Sequence, residues 1–144
     1  MGTFETFDHT ADIGLAVRGR DLADLLETAA RAVFAQMLED LPAEAAATGE
    51  VCAAPGPGLE GDAGELVVVW LQELLYRFDT ERLVPLAFDF ARADRAGACA
   101  TVRFGRFDPG RHRARLEIKA VTYHGLEVRE EPGGGWRARF VLDV

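Results

Sequence analysis

Two carboxylates, an imidazole and a hydroxyl fall within five residues near the start of the chain, at Asp8, His9, Thr10 and Asp12. An alternating apolar run follows at once over residues 13–17, and alternation at period two is typical of a half-buried strand. We therefore expect this polar group where an N-terminal segment enters a β-sheet, on ordered backbone.

A second polar group closes the chain, where Asp143 is followed by Val144 and its α-carboxylate. Carboxylate oxygens suit hard cations such as Ca²⁺, but one short segment supplies only two or three ligands. We therefore predict that the two ends meet in one acidic, metal-binding site. In the alternative, Asp8 and Asp12 cap turns while His9 donates to a backbone carbonyl; the residues alone leave both interpretations open.

A third group lies in the segment Lys119-Ala120-Val121-Thr122-Tyr123-His124. Strand alternation predicts Lys119, Val121 and Tyr123 on one face, with His124 on the other. A strand that ends in these side chains could contact phosphate or transfer a proton. The alternative is an edge strand with a solvated lysine and a hydrogen-bonded tyrosine.

Composition narrows the class of protein. A chain of 144 residues predicts a single domain over residues 1–144. The net charge of −8 argues against strong direct nucleic-acid binding, because an acidic surface repels phosphate. Cys52 and Cys99 are far apart and outside any CxxC motif, which predicts reduced structural thiols and a cytoplasmic location. No membrane span and no signal peptide is visible in the sequence.

The periodicities predict an α+β fold in two layers, with two amphipathic helices on one face of a mostly antiparallel sheet of about six strands. The first helix begins after Asp21, carries an apolar stripe to Leu38 and ends by Leu41-Pro42. The second begins at an Asp62/Glu65 capping box and carries a stripe to Phe78. The predicted extended segments cover residues 4–8, 12–18, 50–53, 86–91, 98–104, 114–128 (broken near 124–125) and 136–142.

Four motifs in order resemble the archease family: Asp8-His9-Thr10-Ala11-Asp12-Ile13-Gly14, Leu71-Gln72-Glu73-Leu74-Leu75-Tyr76, the segment from Lys119 to His124, and the terminal Leu142-Asp143-Val144. The resemblance extends from residue 4 to the last residue. One departure is Gln72, which stands where the family pattern has asparagine.

The resemblance implies an accessory protein, not an enzyme, that activates an RtcB-type tRNA-splicing RNA ligase. It implies that the protein promotes guanylylation of the ligase histidine and multiple turnover, meeting GTP and tRNA through the ligase. It also implies a divalent cation, calcium first with magnesium or manganese as alternatives, held by Asp12, Asp143 and Val144. Lys119 matches a position implied in activation, while Asp8, His9 and His124 support the site.

Two other functions remain open from the sequence. A stand-alone metal-dependent phosphoester hydrolase would need an open metal position, a cleft and a base, for which His9 or His124 could serve. A non-catalytic chaperone or scaffold for RNA-processing enzymes would use the metal only for structure.

Overall fold

The structure is a computed structural model that describes residues 2–9 and 12–144; the side chains of Asp8 and His9 lie outside the described part. Along the chain the elements are β1 (Thr3–His9), β2 (Asp12–Gly19), α1 (Leu22–Met37), β3 (Ala47–Ala53), α2 (Ala63–Glu81), β4 (Leu83–Asp94), β5 (Gly97–Arg106), β6 (Ala120–Glu130) and β7 (Trp136–Asp143).

The strands of the described residues form two antiparallel sheets, one with the order β1-β2-β7-β6 and one with the order β3-β5-β4. Both helices contact both sheets: α1 packs on β2 and β4, and α2 packs on β6 and β3. The predicted α+β class with antiparallel strands is confirmed. In place of a single sheet of about six strands, the structure has seven strands in two sheets, with the helices against both.

Helix α1 begins as predicted, because the Asp21 carboxylate accepts a hydrogen bond from the Asp24 backbone N–H at 2.8 Å. It ends earlier than Leu41-Pro42. Leu38 is already extended, 3 % exposed, and paired with Ala114 in an isolated bridge. A tertiary contact, which local periodicity does not report, therefore ends this helix.

Helix α2 joins the two sheets through its apolar face. Asp62 caps it by accepting from the Glu65 N–H at 3.0 Å. Trp70 is fully buried, packs against the rings of Phe88 and Phe90 on β4, and donates its indole N–H to the Leu26 carbonyl of α1 at 3.0 Å. The helix prediction for the ambiguous Val67-Val68-Val69 run is confirmed.

The prediction of two reduced thiols is wrong. Cys52 on β3 lies directly opposite Cys99 on β5, with their Cα atoms 4.1 Å apart, and the two form a disulfide. The two cysteines are 47 residues apart in the sequence, so their pairing could not be predicted before the register of β3 and β5 was known. The disulfide also removes the argument by which the cysteines indicated a reducing compartment.

The extended run predicted from Ala114 joins its sheet only at Ala120. The N–H groups of Arg115 and Leu116 instead bond to the Met37 carbonyl at the end of α1, at 2.7 and 3.2 Å. The predicted break near 124–125 is a large bulge: Thr122 pairs with Val141 and Glu127 with Arg139, so residues 123–126 face only one residue of β7.

Within the described part of the chain, neither helix has the combination of length and hydropathy that crossing a bilayer requires.

Candidate functional site: an acidic edge of the four-stranded sheet

Strand register brings the end of β1, the start of β2 and the C-terminal end of β7 to one edge of the four-stranded sheet, whereas the start of β1, where Thr3 pairs with Arg18, lies at the opposite end. His9 pairs with Asp12 across β1 and β2, and Ile13 pairs with Leu142 across β2 and β7. One step further in the same register, Asp12 comes opposite Asp143. On the other side of β7, Asp143 pairs with Ala120 and its carbonyl accepts from the Lys119 N–H at 2.8 Å.

Side-chain alternation places both aspartates on the face turned away from the helices, which we call the outer face. Leu15, Val17 and Leu142 are buried in the core on the inner face. Asp12 and Asp143 are each one residue out of phase with these positions, so their carboxylates lie on the outer face. Both are half-buried. We call the end of the sheet formed by Asp12, Asp143 and Lys119 the acidic edge.

The donor set at the acidic edge is made of oxygens, which fits a hard divalent cation. Asp12 and Asp143 supply carboxylates from neighbouring strands, and Val144 supplies main-chain oxygens one residue further. No three His, Cys, Asp or Glu side chains form a cluster among those that the structure describes. The side chains of Asp8 and His9, with all of Thr10, lie outside this part, so their predicted roles stay predictions.

An aromatic ring packs against the outer face of the sheet next to the acidic edge. A Cβ on Gly14 would lie 2.3 Å from the ring of Phe7, so only glycine leaves room for that ring. The guanidinium of Arg139 lies over the same ring, 4.1 Å from its centroid, in a cation–π contact. Phe7 and Gly14 lie one outer-face row from the aspartates, and Arg139 lies one row further, so these contacts connect β1, β2 and β7 next to the acidic edge.

The bulge of β6 carries Tyr123 and His124. Tyr123 was expected on the same face as Val121, but Val121 is buried while Tyr123 is 60 % exposed, because the bulge breaks the alternation. The Tyr123 hydroxyl donates to the Glu65 carboxylate on α2 at 3.2 Å. This hydrogen bond, with burial and the charges of Glu65 and Asp62, raises the pKa of Tyr123 above its ordinary value of 10.0.

The structure brings together Asp12, Asp143, Val144 and the backbone of Lys119, while His124 lies in the bulge, past the Thr122–Val141 pair.

The sequence predictions missed Arg139 and the role of Glu65. Arg137 and Arg139 alternate with the apolar residues of β7, which indicates a second face. The residues that they contact lie on strands far away in the sequence, so a local sequence pattern cannot predict these contacts.

The fold and the site define a class: an α+β protein with two antiparallel sheets and an oxygen-donor edge where the start of β2 meets the C-terminal end of β7. Comparison with known proteins is more specific. The model of the Archease protein family (MTH1598/TM1083) matches residues 4–144. The chain belongs to the archease family.

Individual relatives match this chain over at least 95% of their lengths. The protein named archease from Sulfurisphaera tokodaii is 33% identical, with 100% of each chain covered. That from Methanosarcina acetivorans is 34% identical over 98% of this chain and 95% of its own. The solution structure of Methanobacterium thermoautotrophicum protein 1598 is 32% identical with a TM-score of 0.73, covering 98% of both chains.

Proposed function

We propose that this protein is an accessory factor that activates an RtcB-type RNA ligase, promoting guanylylation of the ligase and its multiple turnover. Support comes from membership of the archease family along nearly the whole chain. It also comes from the convergence of Asp12, Asp143 and Lys119 at one sheet edge, which is the observation that carries the proposal.

In this proposal Asp12, Asp143 and the main-chain oxygens of Val144 hold a divalent cation, calcium being the first choice for an all-oxygen donor set. The cation would offset negative charge on a nucleoside triphosphate during nucleotidyl transfer. The half-buried aspartates sit on a paired backbone, so their spacing is set by the sheet before any ligand arrives. That preorganisation reduces the cost of binding.

Lys119 is the single lysine of the chain and is exposed. Its backbone N–H donates to the Asp143 carbonyl, which places the lysine in the acidic edge. We propose that the acidic edge docks at the ligase active site, where Lys119 contacts a phosphate oxygen or a carboxylate of the ligase.

The test is RNA joining by the ligase with RNA in excess, GTP and divalent cation present, with and without this protein. We expect joining to stop near one product per ligase molecule without it and to continue with it. Asp12→Asn, Asp143→Asn and Lys119→Gln should each reduce activation by tenfold or more, which corresponds to one lost charge-assisted contact.

Two matched controls keep the test specific. Asp89→Asn removes an exposed carboxylate from the outer face of the three-stranded sheet, and Arg111→Gln removes an exposed cation from the connection between β5 and β6 that is not part of the acidic edge. Both should activate normally. Full activation by folded Asp12→Asn and Asp143→Asn would refute the role of the edge. Phosphoester turnover by the isolated protein would instead support the hydrolase.

A further inference from the structure

A hollow on the outer face of the four-stranded sheet lies outside the acidic edge. It has a volume of about 300 Å³, and its lining includes Ala16, Arg18, Arg137 and Arg139. We call it the arginine hollow. We propose that it binds a dianionic phosphate group, supplied as inorganic phosphate or as a phosphate monoester.

Strand register explains why the hollow exists. Ala16 on β2 lies opposite Arg139 on β7 and opposite Glu5 on β1, and Arg18 lies opposite Arg137. All five share the outer face, because Leu15, Val17 and their inward-facing partners fill the core. The methyl group of Ala16 is the smallest side chain among them, so it forms a floor below the longer residues around it.

The residues that line the hollow carry a net charge opposite in sign to that of the whole protein. The chain carries 24 acidic against 16 basic residues, yet three arginines and one glutamate line this space. A guanidinium offers a planar fork of donors that matches two phosphate oxygens. Three such groups favour a dianion over the single charge of a phosphodiester.

The existing contacts of the arginines leave room for a ligand. Arg18 pairs with Glu131, and Arg137 pairs with Glu127 at 3.4 Å, but the Arg18 side chain is 61% exposed and that of Arg137 34%. Ion pairs this exposed are weak, so a phosphate could compete for the guanidinium groups.

Arg139 and Arg137 also have unused donor capacity. Within the described part of the chain, Arg139 makes no ion pair; its guanidinium rests on the Phe7 ring. The Nε of Arg137 is buried and has no hydrogen-bond partner there. A buried donor without a partner is unfavourable, which marks this guanidinium as incompletely satisfied.

The hollow is separate from the acidic edge. Arg139 precedes Asp143 by four residues on β7, which is about 13 Å along an extended strand. Phosphate binding can therefore be measured on the isolated protein in buffer without divalent cations. That measurement needs no ligase, so its failure leaves ligase activation open, and failure of activation leaves the hollow open.

The experiment is calorimetric titration with inorganic phosphate at pH 8 and low ionic strength, where phosphate is mostly dianionic. Arg139→Gln removes one donor fork, and Ala16→Leu fills the floor without changing any charge. Each should weaken binding about tenfold or more. The control is Arg103→Gln, which removes an exposed arginine from the outer face of the other sheet and should bind phosphate like the unmodified protein.

Further ligands decide the source of the phosphate. A nucleoside monophosphate should bind at least as tightly as inorganic phosphate, and an RNA oligomer without terminal phosphates should bind more weakly. The proposal is wrong if the unmodified protein binds no phosphate, or if Arg103→Gln weakens binding as much as Arg139→Gln. It is also wrong if both hollow variants, with melting temperatures retained, bind normally, or if the unphosphorylated RNA binds best.

Discussion

The two sheets of this protein differ in what their residues do: one is cross-linked and packed, and the other carries the candidate site. The three-stranded sheet is bound into the structure: the disulfide joins β3 to β5, and the rings of Phe88 and Phe90 on β4 pack against Trp70 of α2. The four-stranded sheet contributes Leu15, Phe140 and Leu142 to the same core. Its outer face, however, carries the acidic edge and the arginine hollow. Both sheets have an exposed outer face, but only that of the four-stranded sheet brings together the start of β2 and the C-terminal end of β7.

Strand ends explain the position of the acidic edge. Asp12 begins β2 and Asp143 ends β7. Both lie on paired backbone and are half-buried, so the sheet fixes their positions while solvent still reaches them, which is what a cation site on a rigid scaffold needs.

The largest effect on stability is expected in the three-stranded sheet. Cys52→Ser with Cys99→Ser should lower the free energy of unfolding by about 4 kcal/mol, the loop-closure value for this separation. Urea unfolding would measure the change, and calcium affinity should stay the same. If the unmodified, unreduced protein reacts with two equivalents of a thiol reagent, the disulfide assignment is wrong.

The second effect belongs to the acidic edge. Calcium at about 100 times its dissociation constant should stabilise the protein by about 2.7 kcal/mol. Asp12→Asn with Asp143→Asn should abolish this gain, because the cation loses its two carboxylates. Thermal unfolding with and without calcium measures it, with Asp89→Asn on the other sheet as the control. Equal stabilisation of all three proteins would place any calcium elsewhere.

Substituting one glycine in each sheet by alanine tests how tightly the two sheets are packed. Gly14→Ala should destabilise the protein by about 1–3 kcal/mol, because the new methyl group overlaps the Phe7 ring. In Gly49→Ala on β3, the nearest atom lies 3.2 Å away at the flexible end of Arg77, so the cost should be small. Chemical denaturation measures both, and Phe7→Ala should relieve the Gly14→Ala penalty. Equal costs for both glycines would contradict the comparison.

The smallest effect concerns the link from β6 to α2. Tyr123→Phe removes the hydrogen bond to Glu65 and should cost less than about 1 kcal/mol, since the tyrosine is exposed. A raised pKa in the folded protein means that this contribution is present below pH 10.0 and is lost as pH rises through the folded pKa. Ultraviolet titration should show a tyrosine that ionises late in the unmodified protein and is missing from Tyr123→Phe.

Much of the fold follows from local patterns. The spacing of apolar residues and the capping aspartates, Asp21 and Asp62, predict both helices because an amphipathic stripe and an N-cap are local properties. Alternation predicts the strands for the same reason. The end of α1 could not be predicted, since Leu38 leaves the helix to pair with Ala114, about 75 residues away.

The candidate site divides in the same way. Residue chemistry and resemblance to the archease family identified Asp12, Asp143, Val144 and Lys119, and the cation and the ligase remain proposals. The arginine hollow was not predicted, because Arg18 and Arg139 acquire a common face only when β2 pairs with β7. The bulge likewise reversed the expected orientation of Tyr123.

The sequence by itself determined the elements, the α+β class and the residues that could bind a cation, because propensity, periodicity and ligand chemistry act over a few neighbouring residues. Only the tertiary structure decided that the strands divide into two sheets, that Cys52 faces Cys99, and that Asp12 comes opposite Asp143. The physical reason is that strand register is fixed by hydrogen bonds and packing between residues up to about 130 positions apart. Local sequence patterns carry no information about such distant pairs.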